Sequence, residues 1–137
     1  MIARRRVLGL VLFLLGTALA QAGCGGDRYI VVGTAKAPSV SGWVVLDDGE
    51  ITVHLEQLHP ASALDPSLRT YVVWFDSGQG AAKRAGSLKY RPDERTGELR
   101  AKSPFGKFVV KVTAEANDKP AVPSDVLVAS QELTLED

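Results

Sequence analysis

Residues 51–56 alternate without a break: Ile51, Val53 and Leu55 are apolar, and Thr52, His54 and Glu56 between them are polar. A repeat of two belongs to a strand with one buried face, because successive side chains of an extended chain leave on opposite sides. The same period runs through most of the chain after residue 28. Residues 29–34 form an apolar run, closed by Ala37-Pro38-Ser39. Residues 43–46 face 51–58 across Asp48-Gly49, a dipeptide suited to the positive backbone angles of a two-residue hairpin turn. Residues 70–75 are apolar on both faces, with Tyr71, Val73 and Phe75 on one and Val72 and Trp74 on the other. That pattern predicts a central strand. Residues 82–90 read as one strand with Leu88 and Tyr90 in step, and 97–102 as another in which Leu99 and Ala101 alternate with Arg100 and Lys102. Phe108, Val110, Val112 and Ala114 alternate with Val109, Lys111 and Thr113, and 126–135 supplies the last strand or two. The connections at 59–68 and 117–123 carry prolines. No segment has a helical face, and residues 61–64 allow one turn.

About seven to nine short strands with turn signals every 8–12 residues predict an all-β fold, a single antiparallel β-sandwich, Ig-like in strand number. The Cys…Trp…Cys spacing of immunoglobulin domains is absent. The chain holds one cysteine, Cys24, so no internal disulfide can form and packing alone must stabilise the domain.

The N-terminal part reads differently. Arg4, Arg5 and Arg6 precede an uncharged apolar run of 14 residues, 7–20, and small residues follow as far as Cys24. This is the order of a secretory signal, and the run is shorter than the roughly 20 residues of a spanning helix. The expected organisation is a signal peptide over 1–23, a Gly-rich tether over 24–28 and a sandwich domain over 29–137. Residues 1–23 hold three of the 16 basic side chains and none of the 16 acidic ones, so the remainder carries 13 against 16. A mildly acidic domain has no electrostatic reason to bind nucleic acid, and no polybasic patch addresses anionic lipid.

Ala18-Leu19-Ala20-Gln21-Ala22-Gly23-Cys24, followed by Gly25-Gly26, resembles the processing site of bacterial lipoproteins. The resemblance implies a diacylglycerol thioether on Cys24, with an acyl group such as palmitate on its amine, and partnership with the lipid bilayer. Two or three acyl chains anchor durably, at about 0.8 kcal/mol for each buried methylene. Gly25 lacks the Asp associated with inner-membrane retention, which favours the outer membrane of a cell that has one. Gln21 stands where the motif usually has Leu. Two other readings remain open: cleavage after Ala18-Leu19-Ala20, which would release a soluble protein starting at Gln21, and an uncleaved anchor.

A second resemblance covers about 60 residues of the domain. Its landmarks are Thr70-Tyr71-Val72-Val73-Trp74-Phe75, Ala85-Gly86 ahead of Leu88, the run from Phe108 to Glu115, and Pro123-Ser124-Asp125-Val126-Leu127-Val128. Their order is similar to the extracytoplasmic domain of membrane-bound anti-sigma factors. It implies a β-sandwich outside the cytoplasmic membrane, not sigma binding, because the cytoplasmic segment that binds sigma has no counterpart here. Asp125 stands where those proteins have Gly.

No constellation of nucleophile, base and pocket is legible, so the expectation is a non-enzymatic binding or structural module in the envelope, without cofactor and with an unknown envelope protein or polymer as partner. The alternative is a small exported metal- or ligand-binding protein. Its candidate ligands are His54 and Glu56, side by side on a strand face expected to be solvated, with His59 nearby. Asp47, Asp48 and Glu50 lack the spaced ligands of a calcium loop. Asp93-Glu94 lies in a charged loop, and Gly78-Gln79-Gly80 lacks the strand-to-helix setting of a phosphate cradle. Trp43 and Trp74 lie in apolar strands and are expected in the core.

Overall fold

The computed structural model describes residues 26–104 and 106–135. The expected signal peptide and the lipidation site Cys24 lie outside the described residues. Among the described residues nine strands follow one another as β1 (Asp27–Val32), β2 (Ser41–Asp47), β3 (Glu50–Glu56), β4 (Thr70–Asp76), β5 (Lys83–Ser87), β6 (Lys89–Arg91), β7 (Thr96–Lys102), β8 (Gly106–Glu115) and β9 (Leu127–Leu135). A single 3-10 turn, Ala61–Ala63, interrupts them. They build two antiparallel sheets in the orders β1-β2-β3-β7-β6 and β5-β4-β8-β9, packed face to face as a β-sandwich. Among the described residues no helix is long and apolar enough to cross a membrane.

The alternation decides what lies between the sheets. Val44, Leu46, Ile51, Val53 and Leu55 from the five-stranded sheet meet Tyr71, Val73, Phe108, Val110, Val112 and Leu133 from the other. Core positions run from Val31 to Leu133, so the segment from Gly26 onward contains the whole of this packing. Asp48 and Gly49, with φ of 52° and 75°, form the left-handed pair that a two-residue hairpin turn needs, and this fixes the β2–β3 register Asp47↔Glu50. Gln57 also takes a positive φ, 55°, and this resets the phase so that Leu58 points inward and is fully buried.

Strand directions give the sandwich two unlike ends. The turns at 48–49 and 77–82, the last residues of β7 and the first of β8 share one end with Asp27 and Leu135. The opposite end carries the connections 33–40, 57–69, 92–95 and 116–126. These will be called the turn end and the loop end.

The structure departs from the sequence reading in three places. Asp27 and Arg28, expected in the tether, already pair with Leu46 and Val45 as the start of β1. Residues 82–90 are not one strand. Leu88 donates its amide to Tyr71 O, and the chain crosses there from β5 in one sheet to β6 in the other. Of the two tryptophans expected in the core, Trp74 is buried, though outside the inter-sheet cluster, and Trp43 is not. Trp43 is half-buried on the outer face of the five-stranded sheet. Trp74 is 1 % exposed, yet it faces away from Val73 and the core, on the outer face of β4.

Candidate functional site

The sequence-predicted pair lies on the outer face of the five-stranded sheet. Cross-strand register lines up one row over five strands: Ile30, Trp43, His54, Glu98 and Lys89. Directly opposed side chains in antiparallel strands are close enough to interact, and here they do. The His54 ring stacks on Trp43 with centroids 4.3 Å apart and an interplanar angle of 21°. The Arg28 guanidinium carbon sits 4.9 Å from the Trp43 centroid. His54 Nδ1 lies 3.3 Å from Glu98 Oε2, and Nε2 lies 3.4 Å from Glu56 Oε2.

This arrangement corrects the expectation of a plain solvated face. The His54 side chain is only 18 % exposed, and its two carboxylate neighbours are about half exposed. His59 is not part of the cluster. It stands exposed in the connection after Leu58, and its carbonyl accepts a hydrogen bond of 2.6 Å from the Tyr71 hydroxyl. Glu98 takes the place that the sequence reading gave to His59. No spacing in the chain reveals this, since residues 54 and 98 meet only through the β3–β7 register.

A cation held by one imidazole nitrogen could recruit only the carboxylate on that side, because Glu56 and Glu98 sit at different nitrogens of the ring. Among the described residues no group of three or more His, Cys, Asp or Glu side chains is arranged to hold a metal ion. The row is instead a stacked, hydrogen-bonded ladder, graded from apolar at β1 to charged at β6. At the β1 side Ile30 and Val32 are 68 % and 71 % exposed.

The other candidates are dispersed. Asp47, Asp48 and Glu50 surround the β2–β3 turn and are exposed. Glu94 pairs with Arg91 at 3.8 Å on the surface. Gly78 and Gly80 take positive φ in the β4–β5 turn, where the Gly78 amide bonds to Asp76 Oδ1. Lys111 holds Asp76 at 2.8 Å, and this contact is the main reason the Asp76 carboxyl titrates below its ordinary range.

A buried polar chain escaped the sequence reading. Trp74 Nε1 donates to Thr113 Oγ1 at 2.8 Å, and the Thr113 hydroxyl donates to Glu115 Oε2. The same carboxylate oxygen accepts the Ser124 amide at 2.8 Å, while Ser124 Oγ donates to Ala114 O. Arg84 and Ser87 on β5 donate to Pro120 O and Asp118 O. The connection 116–126 is thus fastened to β8 and β5 on either side of β4, and it covers Trp74. Buried polar groups need partners, and this network supplies them.

Compared with known proteins, the chain matches no family model, no curated protein and no solved structure.

Proposed function

We propose that the chain is an envelope lipoprotein, held to the bilayer through acylated Cys24, and that its β-sandwich is a non-enzymatic binding or structural module facing the periplasm or the cell surface. The observation that carries this reading is the position of Asp27. It begins β1 at the turn end, opposite the four loop-end connections. Cys24 precedes it by three residues, which span at most about 10 Å when extended. An anchor there would hold the turn end close to the lipid and direct the connections 33–40, 57–69, 92–95 and 116–126 outward. Loops on a rigid scaffold are where recognition concentrates, and 116–126 is pinned in place by Glu115, Arg84 and Ser87.

Mass spectrometry of the mature N-terminus tests the reading. An acylated Cys24, lost together with membrane association in Cys24→Ser, is expected. A free amine at Gln21 would replace it with soluble export.

A further inference from the structure

The chain's change of sheet at Leu88 leaves an opening at the turn end. β6 covers β7 only along Thr96–Glu98, so on the side away from β3 the edge of β7 from Leu99 to Lys102 has no strand beside it among the described residues. The facing edge of β5 is likewise free. The β4–β5 register skips Ala85 between Val73↔Gly86 and Trp74↔Arg84, a bulge that bends β5. Above the opening, Leu99 packs against Gly86, where a β-carbon would come within 3.2 Å of Leu99 Cδ1 at a φ of 151°. Below it, the two strands part and enclose a cavity of about 640 Å³.

The walls of this cavity are of two kinds. Phe75, Ala85, Ala101, Pro104 and Phe108 give it an apolar floor, on which the Phe75 and Phe108 rings meet edge-on at 5.6 Å. Lys83, Arg84 and Lys102 supply cations, and among the described residues no carboxylate lines it. Arg84 is engaged by Pro120 O, and the nearest acid of β4, Asp76, is held by Lys111. Lys83 and Lys102 have no ion pair among the described residues, and both side chains are exposed at the rim. The volume falls within the roughly 300–1,000 Å³ usual for small-molecule sites, which combine apolar walls with a few placed polar groups.

We propose that this cleft binds a monomeric anionic amphiphile, with its acyl chain on the Phe75–Phe108 floor and its carboxylate or phosphate head between Lys83 and Lys102. The site uses residues of the domain alone and does not depend on anchorage at Cys24. The free edges of β5 and β7 offer backbone amides to the head as well.

The test titrates residues 26–137, which contain every core position among the described residues, with submicellar decanoate and with decyltrimethylammonium, a chain of equal length and opposite charge. Calorimetry should show saturable binding of decanoate only, and amide shifts should centre on Phe75, Lys83 and Ala101. Lys83→Gln/Lys102→Gln should weaken decanoate by about tenfold or more, because bonds to charged groups are the strong ones. Its thermal midpoint should not change. Ala101→Leu, which fills the floor, should also weaken decanoate although both lysines are kept. Equal binding of the cationic amphiphile, indifference to the lysine changes, shifts centred on Ile30, Val32 and Trp43, or attachment only to anionic vesicles would each overturn the proposal.

Discussion

Phe108 is 2 % exposed and meets Phe75 edge-on, deep between sheets that no disulfide links. Removing such a ring loses its transfer energy and leaves a cavity that rigid strands close poorly. Phe108→Ala should therefore cost about 3–5 kcal/mol, a large share of the roughly 5–15 kcal/mol of a typical domain. A denaturant midpoint close to wild type would contradict the inward phase of β8. His54 gives a subtler case. Had it stood on a merely solvated face, replacing it would stay within about 0.5 kcal/mol. Stacked on Trp43 and bonded to Glu98, it should cost more: His54→Thr is expected to lose about 1 kcal/mol, the scale of an aromatic pair beyond its area. Glu56→Thr, which gives up one half-exposed contact to Nε2 and leaves the stacking in place, should stay within the smaller figure. The two single variants measured side by side by chemical denaturation separate the cases.

At the scale of the element, the connection 116–126 behaves as a third layer over β4, and its hold depends on one carboxylate. Glu115 accepts from Thr113 and from the Ser124 amide. Deleting it in Glu115→Ala leaves the part-buried Ser124 amide and the Thr113 hydroxyl, which itself accepts from Trp74, without their acceptor. An unpaired buried group costs about 1–3 kcal/mol. The expected result is local: faster hydrogen exchange at the Ser124 amide and a red-shifted Trp74 emission, while amides of β2 and β3 keep their protection. Unchanged exchange at Ser124 would mean that Arg84 and Ser87 suffice to hold the connection. β5 and β6 show a second element-scale effect. Leu88 and Tyr90 keep the alternation, so a chain that leaves one sheet for the other looks continuous in sequence, and the cleft below Leu99 follows from that crossing.

For the whole molecule, the loop end is joined to the sheets by two phenols. The Tyr71 hydroxyl donates to His59 O, and that of Tyr90 to Leu58 O at 2.7 Å. Burial, with Tyr90 beside it, pushes the Tyr71 phenol up to about 12 from its ordinary 10, and burial raises Tyr90 in the same direction. A group with a raised folded pKa contributes fully below its unfolded value and loses that contribution as pH rises through the folded one. Stability should accordingly hold up to about pH 10 and fall between about 10 and 12. Denaturant midpoints across that window check this, and Tyr71→Phe should flatten the decline while lowering stability at neutral pH through the lost bond. A decline equally steep in the variant would assign it to other groups.

The sequence by itself determined the layers. Alternation in 51–56 and 108–114 says which side chains face inward, and Asp48-Gly49 fixes a hairpin, because side-chain direction in a strand and the angles of a two-residue turn are local properties. The tertiary structure alone decided what meets what. That His54 is flanked by Glu98 and not His59, that Trp43 stacks on the outer face, that Trp74 lies under 116–126, and that β5 and β6 part to open a cationic, apolar cleft all depend on pairings between distant segments. Register across a sheet and the crossing between sheets are set by the packing of the whole core, to which each residue contributes only a part.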